Sequence, residues 1–65
     1  MENLIAIYFI EDDGSEFPLI VLDTNGKVGT MGMFLDWYAE AYGFDRTKLT
    51  GVWFNMIKFE NYKLA

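Results

Sequence analysis

The sequence predicts an α+β domain in which a three-stranded antiparallel sheet carries one helix on one face, in the order β-β-α-β. Two apolar runs, Leu4–Ile10 and Phe17–Leu22, and a third apolar segment at 51–63 have the composition of strands. Apolar residues recur at helical spacing over 30–42. With 65 residues and no linker or repeat, the chain is expected to form a single domain, 1–65.

The first two strands are predicted to form a hairpin. The segment 11–16 between them contains Asp13-Gly14, a pair that tolerates positive φ and marks a tight turn. Pro18 has no amide hydrogen, so the second strand is predicted at the edge of the sheet, beside the first. The turn at 23–26 is expected to lead out of the sheet rather than to close another hairpin.

The predicted helix has recognisable signals at both ends. Thr30 is a residue type that caps helix N-termini, and Gly43 suits the left-handed conformation that ends a helix. Phe44 is expected to fold back onto the last turn, and a short helical turn is expected over 45–49. The face predicted to lie on the sheet consists of Met31, Phe34, Leu35, Tyr38, Ala41 and Tyr42.

The composition argues against catalysis. The chain has no histidine and no cysteine, which removes the usual general base, every Ser-His or Cys-His arrangement and the commonest metal ligands. The acids at 11–16 and the Asp-x-Asn at 23–25 lack the spacing of a calcium loop. We therefore expect no enzymatic activity, no metal and no cofactor. No segment has the pattern of a signal peptide or a transmembrane span, so a cytoplasmic location is expected, that of the host cell if a phage encodes the chain.

The charges are distributed unevenly. Residues 1–45 hold nine of the ten acidic side chains and one base, Lys27, in a chain whose net charge is −5. Such a surface repels nucleic acid and anionic membranes and attracts basic surfaces, including the DNA-binding clefts of other proteins. The alternative is that the acids serve solubility alone. Direct binding of nucleic acid or of a membrane is not expected under either interpretation.

Part of the predicted helix surface has the composition of an interface. Asp36 and Glu40 stand four residues apart and repel each other, and Met33 and Trp37 share a neighbouring face. Large apolar side chains beside carboxylates are typical of an apolar anchor with a charged rim. The alternative is that Met33 and Trp37 only widen the contact with the sheet.

The predicted sheet has more apolar surface than one helix can cover. Unbroken apolar strands indicate that both faces are buried, whereas a single helix covers one face. Asn55 and Asn61 mark one side of the last strand as the wetter one. That side is assigned to the uncovered face and is predicted to form a dimer or docking surface, with the residues Trp53, Ile57 and Phe59.

The order of these features resembles the short phage-encoded inhibitors of uracil-DNA glycosylase. The similar points are the acidic turn Glu11-Asp12-Asp13-Gly14, the helix end Tyr42-Gly43, the loop with Thr47 and the segment Met56-Ile57-Lys58-Phe59. The resemblance implies a homodimer that mimics DNA, with carboxylates in place of phosphates and an apolar pocket for a side chain of the enzyme. The implied mimic charges are Glu11, Asp12, Asp13, Asp36 and Glu40, and the implied pocket residues are Met33, Trp37 and Tyr38.

These observations together predict a small acidic protein that inhibits a nucleic-acid-binding host protein by occupying its basic cleft, with uracil-DNA glycosylase as the specific target. The predicted acidic contacts are Glu11, Asp12, Asp13, Glu16, Asp36 and Glu40. The predicted apolar contacts are Met33, Trp37 and Tyr38. Two alternatives stay open: an anti-CRISPR or RNA-polymerase inhibitor of similar size and acidity, and a self-assembling homodimeric structural domain with no inhibitory role.

Overall fold

The computed structural model describes residues 4–54 and confirms the predicted α+β fold. The elements are β1 (Leu4–Ile10), β2 (Glu16–Asp23), α1 (Met31–Tyr42), a 3₁₀ helix (Arg46–Lys48) and β3 (Leu49–Phe54). The three strands form one antiparallel sheet in the order β2-β1-β3. The part of the predicted third strand that follows Phe54 lies outside the described residues.

The β1–β2 turn is held by short-range hydrogen bonds. The Asp13 carboxylate accepts from the Ser15 backbone amide at 2.9 Å and from the Ser15 hydroxyl at 2.6 Å. Gly14 has a φ of 87°, and its amide donates to the Glu11 carbonyl at 2.8 Å. The Asp-Gly pair therefore forms the turn that its residue types predict.

The second strand occupies an edge of the sheet, as Pro18 predicts. The pairing of β1 with β2 is irregular at this position, because Ile7 pairs with Ile20 whereas Tyr8 pairs with Pro18. The extra residue is Leu19, which packs against the core while Ile20 is exposed. This bulge lets a strand with a proline keep one apolar side chain in the core.

Both ends of α1 carry the predicted caps. The Thr30 hydroxyl accepts from the Met33 amide at 3.2 Å, and Gly43 takes the left-handed conformation with a φ of 76°. The Gly43 and Phe44 amides both donate to the Ala39 carbonyl at 2.9 Å. The Phe44 ring stacks on Tyr38 with 5.6 Å between ring centroids, so the chain folds back onto the last turn as expected.

The core lies between α1 and the side of the sheet that faces it. Its buried members are Ile5, Ile7, Leu35, Tyr38, Ala39 and Leu49. The predicted helix face is right at Leu35 and Tyr38 but wrong at its end, where Ala41 and Tyr42 are exposed and Ala39 is buried instead. The reason is that α1 lies nearest to β3 and the 3₁₀ helix. Ala41 is about 200° further round the helix than Ala39, so it points away from that side.

A close approach between helix and sheet occurs at Gly51 in the middle of β3. A Cβ atom at this position would lie 2.6 Å from the Met31 Sδ and 3.2 Å from the Ile5 Cγ2. The first turn of α1 therefore rests directly on the backbone of β3, which is possible because Gly51 has no side chain.

Candidate protein-binding surface

One end of the molecule concentrates acidic side chains. Phe9 at the end of β1 contacts Phe44 just beyond α1, with 6.2 Å between ring centroids, so the β1–β2 turn and the end of the helix lie together. We name this region the acidic end. Its exposed carboxylates are Glu11, Asp12, Asp13, Glu16 and Asp45. Four of the six predicted acidic contacts belong to this one turn segment, and Asp45 is the carboxylate that the fold adds to them.

Local hydrogen bonds stabilise the ionised form of two of these carboxylates. The Ser15 hydroxyl and amide lower the pKa of Asp13 below its ordinary value, and the Thr47 hydroxyl and amide do the same for the pKa of Asp45. The last turn of α1 ends at this region and contains no basic residue. Its carbonyl groups therefore add to the negative potential, while Arg46 and Lys48 of the following 3₁₀ helix offset part of it.

Two of the predicted acidic residues, Asp12 and Asp36, form surface ion pairs. Lys48 lies 3.0 Å from Asp12 at the acidic end, and Arg46 lies 2.7 Å from Asp36 on the helix. Both pairs are exposed, so each stabilises the fold by no more than about 1 kcal/mol. Asp36 and Asp12 are thus each paired with one cation, and Asp36 belongs to the middle of α1 rather than to the segments that form the acidic end. Glu40 is exposed in the last turn of α1, where the helix reaches that end.

An apolar strip lies along the flank of α1 that faces β2. Met33 and Trp37 are 59% and 52% exposed, so about half of each residue lies outside the contact with the sheet. They line a pocket of about 360 Å³ together with Leu22 and Val28. Trp37 also meets Tyr42 edge to face with 6.2 Å between ring centroids. We name Met33, Trp37 and Tyr42 the aromatic flank.

The structure corrects the prediction for Tyr38 and adds Tyr42. Tyr38 was expected to line or flank the pocket, but it is 7% exposed and packs in the core against Phe44. Trp37, the preceding residue, points about 100° away round the helix axis, and it is half exposed. Tyr42 was assigned to the core, yet it is exposed beside Trp37. Tyr42 is on the same helical stripe as Leu35 and Tyr38, but it is the last residue of α1.

The assignment of Trp53 to the uncovered sheet face is wrong. Trp53 pairs with Ile5, whose side chain is in the core, and it meets Phe34 of α1 edge to face at 5.8 Å between ring centroids. It therefore lies on the helix side. Ile57 and Phe59, which complete that predicted dimer surface, lie outside the described residues.

The face of the sheet away from α1 carries the residues that alternate with the core positions. Ala6 pairs with Val21 on β2 and with Val52 on β3, so these three side chains form a row across the sheet. Together with Tyr8 and Phe54 they line a cavity of about 560 Å³. Among residues 4–54, no helix packs on this face.

The chemistry that this surface offers is charge and apolar contact. In the described part of the chain, no group of three or more acidic side chains is arranged to hold a metal ion. None of the helices in that same region has the length and apolar character needed to span a membrane. Comparison with known proteins found no matching family model, no matching curated protein and no matching solved structure.

Proposed function

We propose that this protein is a small acidic inhibitor that occupies the basic nucleic-acid-binding cleft of another protein. The observation that supports this most directly is the acidic end, where carboxylates from the β1–β2 turn and from the segment after α1 lie together. A cluster of fixed negative charges on a protein surface presents to a basic cleft the kind of charge that a nucleic-acid backbone presents.

The physical mechanism of inhibition has two parts. Long-range attraction between the acidic end and the cleft steers the encounter and can raise the association rate constant from ~10⁶ to ~10⁸ M⁻¹s⁻¹ or more at low salt. The aromatic flank then supplies apolar anchors, because buried tryptophan and tyrosine side chains contribute most of the affinity in many interfaces. Trp37 and Tyr42 are exposed in the isolated chain and are available for that role.

The specific target that we propose is a uracil-DNA glycosylase, on the basis of the resemblance to phage-encoded inhibitors of that enzyme. An anti-CRISPR or an RNA-polymerase inhibitor would use the same acidic surface against a different cleft. All three candidate targets would be inhibited by the same mechanism, and they differ only in which protein the chain binds.

The test is capture of the target followed by competition. The immobilised chain is exposed to a bacterial lysate, and retained proteins are challenged with DNA and with salt. We expect a nucleic-acid-binding enzyme that both treatments release, because DNA and the chain compete for one basic cleft and salt screens the attraction. A purified uracil-DNA glycosylase is then titrated with the chain in an activity assay. Retention of a partner that DNA does not displace would contradict the proposal.

Two charge-matched variants make this test specific. Asp12→Asn removes one charge from the acidic end, and Asp36→Asn removes one charge from the middle of α1. Each variant also breaks one surface ion pair, the first with Lys48 and the second with Arg46. We expect the first variant to weaken binding at least tenfold more than the second. Equal losses would mean that only net charge matters and would overturn the proposed role of the acidic end.

A further inference from the structure

Leu4 is buried on the face of the sheet that lies away from α1. Ile5 and Ile7 belong to the core beneath the helix, so the residues of β1 that alternate with them, Leu4 and Ala6, point to the opposite face. Leu4 is 3% exposed, yet it is not a member of the core cluster under α1. A group other than that core therefore covers Leu4.

The neighbouring row of the same face is open. Ala6 is only half-buried, although its side chain is smaller than that of Leu4, and its partners Val21 and Val52 are 42% and 56% exposed. Leu4 has the equivalent place, on the central strand between one residue of β2 and one residue of β3. Flanking strands leave the small side chain of Ala6 partly exposed, so they do not account for the burial of a larger one.

The other segments within residues 4–54 lie elsewhere. The connection from β2 to α1 lines the pocket beside Met33 and Trp37, on the helix side of the sheet. The β1–β2 turn and the start of β3 lie at the opposite end of β1. Leu4 is buried within a single chain, so the group that covers it belongs to that chain. The residues that are left are 1–3 and 55–65.

We infer that the segment 55–65 folds back over this end of the sheet and covers Leu4. The segment follows Phe54, which pairs with Leu4, so it starts one strand spacing, about 5 Å, from the side chain that it covers. Residues 1–3 precede Leu4 directly and include one large apolar side chain, that of Met1. The longer segment is therefore the better candidate for the cover.

The composition of the segment 55–65 suits the surface that it would cover. Its apolar residues are Met56, Ile57, Phe59, Tyr62 and Leu64, and its charged residues are Lys58, Glu60 and Lys63. Residues 1–54 hold nine acidic and three basic side chains, so a net-positive segment is attracted to them. Asp23 is exposed and pairs with Leu4, which places a carboxylate beside the covered position.

This inference does not depend on the proposed function, because the cover is measured without any target. The acidic end lies at the opposite end of β1, and the aromatic flank lies on the helix side of the sheet. Both surfaces stay accessible when the segment covers Leu4. Ile57 and Phe59, which were predicted to form a dimer surface, would then be used within the chain.

Single cysteines can report the cover, because the chain has no cysteine of its own. Leu4→Cys and Val52→Cys place a thiol at a covered and at an open position of the same face, and Ala39→Cys places one in the core. Each substitution is made in the unchanged chain and in a chain that also carries Ile57→Ser and Phe59→Ser. The rate of reaction with a small thiol reagent is then measured at several protein concentrations.

In the unchanged chain, we expect Leu4→Cys to react at least about tenfold more slowly than Val52→Cys. The two serine substitutions should bring the rate at Leu4→Cys close to that at Val52→Cys and leave Ala39→Cys protected. Equal rates at Leu4→Cys and Val52→Cys in the unchanged chain would overturn the inference. Protection of Leu4→Cys that survives the serine substitutions would also overturn it. The cover would then be residues 1–3, or a second copy if the protection grows with protein concentration.

A second measurement decides the question if the serine variant does not fold, which fast reaction at Ala39→Cys would reveal. A nitroxide attached at Lys58→Cys leaves the apolar residues of the segment unchanged and broadens the NMR signals of nearby methyl groups. Leu4 and Ile10 lie on the same face of β1, roughly 20 Å apart. We expect the Leu4 methyl signals to be broadened at least about tenfold more strongly than those of Ile10, because the effect falls steeply with distance. Equal broadening would contradict a cover at the Leu4 end.

Discussion

The two flanks of α1 are packed in different ways, and the difference separates what holds the fold from what is free to bind. On the side of β3, Ala39 and Leu49 are buried and Met31 rests on the backbone of Gly51. On the side of β2, Met33 and Trp37 are more than half exposed. A single twelve-residue helix thus has one flank that contributes stability and one that contributes an accessible apolar surface.

The largest expected difference between the two flanks is in the free energy of unfolding that is lost when a side chain is truncated. Leu35→Ala removes a buried side chain and should lower the free energy of unfolding by about 2–5 kcal/mol. A domain of this size has little more than that in total, so the variant should be largely unfolded. Met33→Ala, two residues away on the open flank, should cost less than about 1 kcal/mol. Urea titration followed by circular dichroism measures both, and similar losses would show that the flanks do not differ.

Alanine substitutions at two glycines, which should change the stability in opposite directions and by smaller amounts, test the close contact at β3. Gly51→Ala forces its Cβ against Met31 and Ile5 and should destabilise the protein by about 1–3 kcal/mol. At Gly32 in α1, the nearest atoms to an added Cβ are at 3.8 and 3.9 Å, an ordinary contact distance. Gly32→Ala should therefore stabilise the protein by about 0.5–1 kcal/mol through its higher helix propensity. Thermal unfolding of the two variants gives both signs, and a stabilising Gly51→Ala would show that the Met31 side chain moves aside at little cost.

The smallest effect concerns the acidic end and its dependence on pH. The pKa values of Asp13 and Asp45 are lower in the folded chain than in the unfolded chain, so the unfolded state binds protons first as the pH falls. Their contribution is complete above about pH 4 and is lost as the pH falls through the folded values. Asp13→Asn with Asp45→Asn keeps the hydrogen-bond acceptors but removes this dependence.

Thermal unfolding between neutral pH and pH 3 tests this expectation. The melting temperature of the double variant should fall less below pH 4 than that of the unchanged chain. Glu16→Gln is the control, because the Glu16 side chain makes no hydrogen bond within the described residues. An equally steep fall in the unchanged chain and the double variant would show that these two carboxylates do not contribute.

Local signals in the sequence were sufficient for the elements and their ends. Thr30, Gly43 and the Asp13-Gly14 pair act through bonds to residues a few positions away, so their effects can be predicted without the rest of the fold. The edge position of β2 followed from Pro18 for the same reason. The fold class was predicted because apolar periodicity separates strands from the helix.

The face of β3 that meets the helix could not be predicted from alternation. In Val52-Trp53-Phe54 every residue is apolar, so neither side of the strand is marked as the wet one. The residue that does discriminate is Gly51, because a position without a side chain is where a helix can approach most closely. Asn55 suggested the opposite face, and it lies outside the described residues.

The position of the acids depended on tertiary structure. Asp12 and Lys48 lie far apart in the sequence and are brought to 3.0 Å by the fold. No local pattern distinguishes Asp36, which pairs with Arg46, from the carboxylates of the acidic end. The packing of Phe9 on Phe44 and the Lys48–Asp12 ion pair place the turn and the segment after the helix together.

The central position of β1 also has a consequence for the order of folding. Its pairing with β2 closes the five-residue connection between Ile10 and Glu16, whereas its pairing with β3 joins Phe9 to Leu49, forty residues further along the chain. Loop-closure entropy favours the short connection, so we expect the hairpin to form before β3 pairs with the second edge of β1. The sheet of the described residues is therefore expected to be completed by β3, the last of its strands to be added.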